Sequence, residues 1–290
     1  MWRGNAFGGA GCGAPTIEAQ LFSGEYFDMK IFLQTFVVSG ISLFAVACVS
    51  QTNPATAGQV TAPTQVQPQT GAEKEIAALQ IKLADWAQLG RYRDENAALA
   101  APARGEQRVV FYGDSITDAW GRRPGSGTFF PDKPYFNRGI SGQTTPQMVV
   151  RFHQDVVDLH PRVVVILAGT NDVAGNTGPM TPEMTEDNFR SMVEMARANG
   201  IKVVIASILP AGDFPWKKGM GPAPKIRALN QWLQDFCKSN GIVYVDYYAA
   251  LADENGAMKA GLSLDGVHPD AAGYAIMAPL AEAGIQKALK

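Results

Sequence analysis

Histidine and cysteine are both scarce in this chain of 290 residues: His153, His160 and His268 are the only imidazoles, and Cys12, Cys48 and Cys237 the only thiols. The thiols show no metal-ligand spacing and no disulfide framework, which excludes zinc ribbons and small stapled folds. Cys237 lies in an amphipathic stretch and reads as a small buried apolar residue. An excess of charge is lacking as well. The 25 basic and 27 acidic residues leave a formal net charge of −2, so neither sign predicts a nucleic-acid or polyanion partner.

Long apolar runs are also missing. The best candidate, residues 31–47, is interrupted by Gln34, Thr35, Ser39, Gly40 and Ser42 and is short against the roughly 20 apolar residues of a bilayer span. Preceded by Met29-Lys30 and ending in Ala45-Val46-Ala47, it has the basic start, apolar middle and small-residue end of an export signal over residues 29–48; a single membrane-spanning helix is the alternative. Cys48 directly follows and resembles a bacterial lipoprotein box, although Ala45 stands where Leu fits better. Membrane attachment through a lipid on Cys48 and plain secretion both remain open. The expected location is outside the cytoplasm of a bacterium: periplasmic, secreted or anchored to the outer membrane. Residues 1–28 carry Glu18, Glu25 and Asp28, which do not suit a signal's leading segment, so translation is expected to begin at Met29.

Residues 49–72 are rich in Thr, Pro, Gln, Ala and Gly and read as a flexible linker. Over residues 73–104, Ile76, Leu79, Leu83, Trp86 and Leu89 recur at helical spacing, predicting one amphipathic helix over about 73–99 that packs on the main domain. From residue 105 to the end, β-branched runs at 108–112, 163–168, 202–207 and 242–245, with a weaker one at 135–137, alternate with helical stretches near 145–159, 182–199, 225–240 and 270–289. Continuous apolar strands separated by helices predict an α/β fold: a parallel sheet covered on both faces, a three-layer α/β/α sandwich. Ligands of such sheets bind at the carboxyl ends of the strands, which directs attention to the residues after each run.

After the first run comes Gly113-Asp114-Ser115-Ile116, where Gly113 permits a sharp turn and Ser115 opens a helix. Alone, Ser115 reads more readily as a helix cap than as a nucleophile. After the weak second run, the loop Ser141-Gly142-Gln143 lets backbone approach a ligand, so the Gly142 N–H is a candidate donor. After the third comes Gly169-Thr170-Asn171-Asp172, in which the Asn171 amide can serve as an oxyanion donor or cap a turn. Before the last helix, Asp265-Gly266-Val267-His268-Pro269 sets a carboxylate three residues ahead of an imidazole, so that Asp265 can accept a hydrogen bond from Nδ1–H and leave Nε2 as a base. His153 and His160 have no such company and read as surface or capping residues.

Together Gly113-Asp114-Ser115, the Gly142 loop, Gly169-Thr170-Asn171-Asp172 and Asp265-x-x-His268 resemble the four blocks of the SGNH hydrolases, or GDSL esterases and lipases, over residues 108–289. Gly-Asp-Ser-Ile stands where Gly-Asp-Ser-Leu is usual, a departure that leaves the turn intact. The resemblance implies Ser115 as nucleophile with Asp265 and His268 as partners. It further implies an oxyanion hole from the Ser115 and Gly142 N–H groups and the Asn171 side chain, a flavodoxin-like sheet of five parallel strands, and no metal or organic cofactor. Gly113, Asp114 and Asp172 are expected to support these loops.

Loops 121–134, with Arg122, Arg123, Phe129 and Phe130, and 211–224, with Phe214, Trp216, Lys217 and Lys218, are candidates for the substrate wall, Phe130 and Trp216 being its candidate binding residues. The expected reaction is hydrolysis of a small-molecule or glycan ester through an acyl-serine, the acyl group being short, such as acetyl on a carbohydrate. The alternatives are a lysophospholipase- or thioesterase-type lipid acylhydrolase and a non-catalytic binding protein on the same fold. Oligomeric state is not legible.

Overall fold

The computed structural model describes residues 70–290. The readings on residues 1–28, on the signal at 29–48 and its Cys48, and on nearly all of the linker lie outside the described residues.

Among the described residues, five strands form one parallel sheet: β1 (Val109–Gly113), β2 (Tyr135–Gly139), β3 (Val163–Leu167), β4 (Lys202–Ala206) and β5 (Val243–Val245), in the order β2-β1-β3-β4-β5. β1 and β3 are buried along their whole length, as their unbroken apolar sequences require. Alternate residues of each strand feed opposite layers. Val110, Tyr112, Val164 and Ile166 pack with α4 (Thr145–Asp155), α6 (Pro182–Ala198) and α7 (Ala223–Asn240). Val109, Phe111, Val163 and Val165 pack with α3 (Ser115–Ala119), α8 (Tyr247–Leu251) and α9 (Ala271–Leu289). The chain leaves β1 for β2 on one side and then enters β3 on the other, so the crevice above the β1 and β3 carboxyl ends is the topological switch point where doubly wound sheets bind ligands.

The strands and long helices lie within a residue or two of the runs that predict them, and the short 3₁₀ turn Val157–Leu159 ends the stretch begun by α4. His153 is exposed beside Asp158, His160 caps that turn in a left-handed conformation, and Cys237 is buried. Among the described residues no helix is long and apolar enough to cross a membrane.

The N-terminal segment departs from expectation. Instead of one helix over 73–99 there are two, α1 (Gly71–Ala84) and α2 (Arg93–Ala98). The Asp85 carboxylate ends α1 by accepting from the Leu89 and Gly90 N–H groups at 2.7 and 2.9 Å, and Gln88 turns the chain at φ 55°. α1 buries none of its residues; Leu83 is 75% exposed. Polar contacts hold down the segment behind it: Gln147, Gln143 and Gln154 donate to the carbonyls of Trp86, Ala87 and Leu89 at 2.7, 2.8 and 2.8 Å, and Tyr92 is fully buried. The glutamines satisfy carbonyls that a continuous helix would have used internally.

Candidate active site

At the end of β1 the backbone must turn in little space. A Cβ on Gly113 would collide with the Thr117 side chain and the Leu167 carbonyl, so only glycine fits. Asp114 caps α3 by accepting from the Ile116 N–H at 3.0 Å, which sets Ser115 as the first helical residue, half-buried at the crevice. Asp114 itself is fully buried, and burial, reinforced by the nearby Asp172 charge and only partly opposed by the Ile116 N–H, pushes its carboxyl up to about 7.

Opposite lies the loop before α9. His268 Nε2 is 2.9 Å from Ser115 Oγ, and its Nδ1 is 2.8 Å from Asp265 Oδ2. The turn is fixed by local bonds: the His268 and Val267 N–H groups donate to Asp265 Oδ1 at 2.8 and 3.1 Å, and Ser263 Oγ donates to the His268 carbonyl at 2.8 Å. Burial raises the Asp265 carboxyl, but the hydrogen bonds from His268 outweigh it and hold the group below its ordinary value. The acid therefore stays ionised as the imidazole's partner.

The loops after β2 and β3 complete the crevice. Gly142 has a φ of 80° and nothing within 4 Å of a would-be Cβ, so its requirement is conformational. Among the described residues neither the Ser115 nor the Gly142 N–H donates to another protein group, and both residues line the cleft. Asn171 Nδ2 lies 3.0 Å from the Gln143 carbonyl and 3.3 Å from Asp114 Oδ2, the latter a long bond, while its Oδ1 accepts from Asn176 Nδ2 at 2.6 Å. Asp172 is buried and accepts from the Thr145 N–H and hydroxyl and from Thr185, tying the β3 loop to the start of α4; burial raises its carboxyl against those bonds. Ser115, Gly142, Asn171 and His268 thus line one cleft of about 570 Å³. Asp265 stands behind His268, and Gly113, Asp114 and Asp172 stand behind the loops.

Of the two wall residues, Trp216 is at the cleft. Its ring centroid is 6.1 Å from that of His268, and its Nε1 donates to Asn176 Oδ1 at 3.2 Å. Phe130 is not, which corrects the expectation. It packs among Phe111, Trp120, Phe129 and Tyr135 on the sheet, because burying its ring there satisfies more apolar surface than the polar cleft would. Phe214 is also buried, stacked under Trp216.

Sequence reasoning missed four contributors. Asn176 orients the Asn171 amide, and Asp118 holds Ser141 through its hydroxyl at 2.7 Å. Arg91, from the segment before α2, lines the cleft. The fully buried Arg151 donates to Gln143 Oε1 at 2.6 Å and to the Gly113 carbonyl at 3.0 Å. Only Arg151 left a signal, a basic residue with Asp155 at i+4 on the apolar face of α4. Among the described residues no three His, Cys, Asp or Glu side chains converge to hold a metal ion.

A serine hydroxyl set against an oriented imidazole, with free N–H donors across the crevice, can add to an acyl carbon and stabilise the oxyanion formed. On a sheet of this order, that arrangement defines the class of SGNH hydrolases. The sequence profile of the GDSL-like lipase/acylhydrolase family matches residues 111–276, more than half of the chain, and the chain belongs to that family. A GDSL-like lipase of Bacteroides thetaiotaomicron, known from a crystal structure, is 46% identical with a TM-score of 0.67; the match covers 70% of this chain and 99% of that one. An acetylxylan esterase of Geobacillus stearothermophilus is 28% identical over 207 residues, covering 59% of this chain and 90% of the relative. The lipoprotein YqeF of Bacillus subtilis is 32% identical over 129 residues, covering 37% of this chain and half the length of that relative. The protein is a carboxylic ester hydrolase.

Proposed function

We propose that the enzyme removes a short acyl group, acetyl in the first instance, from a carbohydrate through an acyl-serine intermediate. Ser115 is the nucleophile. His268 takes its proton as Oγ adds to the ester carbonyl and returns it to the leaving alcohol; water, activated by the same imidazole, then releases the acid. Asp265 holds the imidazole in the tautomer with Nε2 free. The Ser115 and Gly142 N–H groups face the oxyanion, and the Asn171 amide joins them by turning one Nδ2 hydrogen from its long 3.3 Å bond to Asp114. The observation that carries this reading is the row Ser115 Oγ, His268 Nε2, His268 Nδ1, Asp265 Oδ2, with links of 2.9 and 2.8 Å.

Support for a short acyl group on a sugar comes from the residues that line the cleft, which apart from Trp216, Ala119 and Gly142 carry polar or charged side chains. Trp216, 45% exposed, offers a face on which a sugar ring can stack. The likeness to an acetylxylan esterase points the same way. Export of the enzyme, with or without a lipid on Cys48, is part of the proposal; its supports are the Met29 to Cys48 pattern and the likeness to a lipoprotein.

An acyl-chain series of p-nitrophenyl esters, run beside acetylated xylo-oligosaccharides and a lysophospholipid, tests the reading. Acetyl esters and acetylated sugars are expected to be the best substrates, and Ser115→Ala to fall to background. Near-normal turnover by Ser115→Ala removes the nucleophile assignment. Preference for long chains replaces the carbohydrate reading with a lipid acylhydrolase.

A further inference from the structure

The chain carries a formal net charge of −2, yet its active-site cleft is basic. Arg91, Arg122 and Arg123 line it, and among the described residues the one acidic lining residue is Asp118. That carboxylate is committed: Oδ2 accepts from the Ser141 hydroxyl and N–H at 2.7 and 3.3 Å, and Oδ1 accepts from Arg122 at 3.2 Å. Arg122 is committed too, to the Tyr92 hydroxyl at 2.7 Å and the Asn137 carbonyl at 3.0 Å. These two side chains therefore neutralise one another within a framework of hydrogen bonds.

Arg91 and Arg123 are left. Arg91 is exposed and only 3.9 Å from each of Glu95 and Asp118, too far for a hydrogen bond. Arg123 is exposed, and among the described residues no carboxylate lies within 4 Å of its guanidinium. The two approach from different segments, one before α2 and one after α3, onto the same cleft as Ser115 and His268. Arg91 thus meets its two carboxylates only as loose, exposed ion pairs, and among the described residues neither guanidinium donates a hydrogen bond to the protein. Two planar guanidiniums with open N–H donors in one concavity suit a planar, bidentate anion.

We propose that Arg91 and Arg123 form an anion subsite beside Ser115, and that the ester is carried by an acidic sugar whose uronic carboxylate they bind. The proposal rests on the carbohydrate-ester reading above and narrows it. Binding at this subsite lowers KM without a role in the chemical step, since neither guanidinium hydrogen-bonds Ser115 or His268.

The test compares acetylated glucuronic acid with acetylated glucose and an acetylated glucose phosphate, using wild type, Arg91→Gln, Arg123→Gln and the double variant. Wild type is expected to favour the glucuronate in kcat/KM. The double variant should lose about tenfold of that preference, almost all of it in KM, as expected for partly exposed charge-assisted pairs. Added salt should erode the preference in wild type and have little effect on it in the double variant. A wild type that treats charged and neutral sugars alike overturns the proposal, as does a preference that survives the double substitution. A preference for the phosphate sugar overturns the uronate assignment. Should no acetylated sugar be cleaved, the carbohydrate reading fails by itself. Mono-p-nitrophenyl succinate against p-nitrophenyl butyrate then reads the subsite: equal rates overturn it, and an arginine-dependent preference for the succinate upholds it.

Discussion

The guanidinium of Arg151 donates Nη2 to the carbonyl oxygen of Gly113 at 3.0 Å. Through its other nitrogens it reaches Gln143 Oε1 at 2.6 Å, the Arg138 carbonyl at 2.9 Å and Asp155 Oδ2 at 3.1 Å. One buried side chain therefore spans the turn that carries Ser115 and the loop that carries Gly142, and ties both to α4. Arg151→Met leaves Asp155 buried with its charge unanswered, and a cost of about 3–5 kcal/mol is expected in urea unfolding. Arg151→Lys keeps a charge for Asp155 but lacks the planar fork, so it should fold with reduced stability and reduced kcat. An Arg151→Met protein as stable as wild type would contradict this account.

Asn176 and Asn171 form a second such relationship. With Asn171 Oδ1 accepting from Asn176 Nδ2 at 2.6 Å, the Asn171 amide is held in one of its two flip states. Asn171→Ala should lower kcat by about 10²–10³, the typical loss of one oxyanion donor. Asn176→Ala should lower kcat less, about tenfold, with KM little changed, because it only loosens the orientation of that donor. Steady-state kinetics on p-nitrophenyl acetate separates the two; equal losses would show that Asn176 does more than orient.

Among the described residues, His268 Nδ1 has a single hydrogen-bond partner, Asp265 Oδ2 at 2.8 Å. Asp265→Asn is therefore expected to be severe, lowering kcat on the order of 10³–10⁴ through the wrong tautomer. Turnover within tenfold of wild type would mean that something else orients the ring.

Much of this was legible in sequence because the physics involved is local. The strands announce themselves as short apolar runs, and the row from Ser115 to Asp265 is readable because each residue adjoins a turn with its own signature. What was not legible depends on chain segments distant in sequence. Arg91 reaches the cleft only because Asp85 breaks the helix before it, and Arg151 is functional only through acceptors on two other loops. Phe130 and Trp216 are both aromatic residues in long loops. Only the tertiary packing of Phe130 against Phe111, Trp120 and Tyr135 tells them apart. The overall charge concealed the basic cleft for the same reason: it sums over a surface that the fold then sorts.

The apolar stripe on α1 shows how periodicity alone misleads. Leu83 has the spacing of a core residue but is 75% exposed, whereas Leu233 on α7 is fully buried. Leu83→Ala should change stability by less than about 0.5 kcal/mol, and Leu233→Ala should cost about 2–5 kcal/mol. Denaturant midpoints of the two variants measure this directly. A large loss from Leu83→Ala would show that its side chain is covered in solution.

Asp114 gives the stability a pH dependence of defined sign. Its folded-state value of about 7 lies well above the ordinary aspartate value of 3.8, because burial penalises the charge and the Asp172 and Asp118 carboxylates add to the penalty. Below about pH 4 the group is protonated in both folded and unfolded chains and contributes nothing. Between about pH 4 and 7 the unfolded chain loses the proton while the folded one retains it, so stability falls with rising pH. Above about 7 the penalty is constant. Asn can replace Asp114 as the cap of α3 without a charge. The stability of wild type relative to Asp114→Asn should thus decline by on the order of a few kcal/mol from pH 4 to 7 and then level off. Urea unfolding of both proteins at several pH values measures that difference, which cancels the other titrating groups the two share. A difference that stays flat across the window would mean that Asp114 ionises in the folded protein as easily as in water.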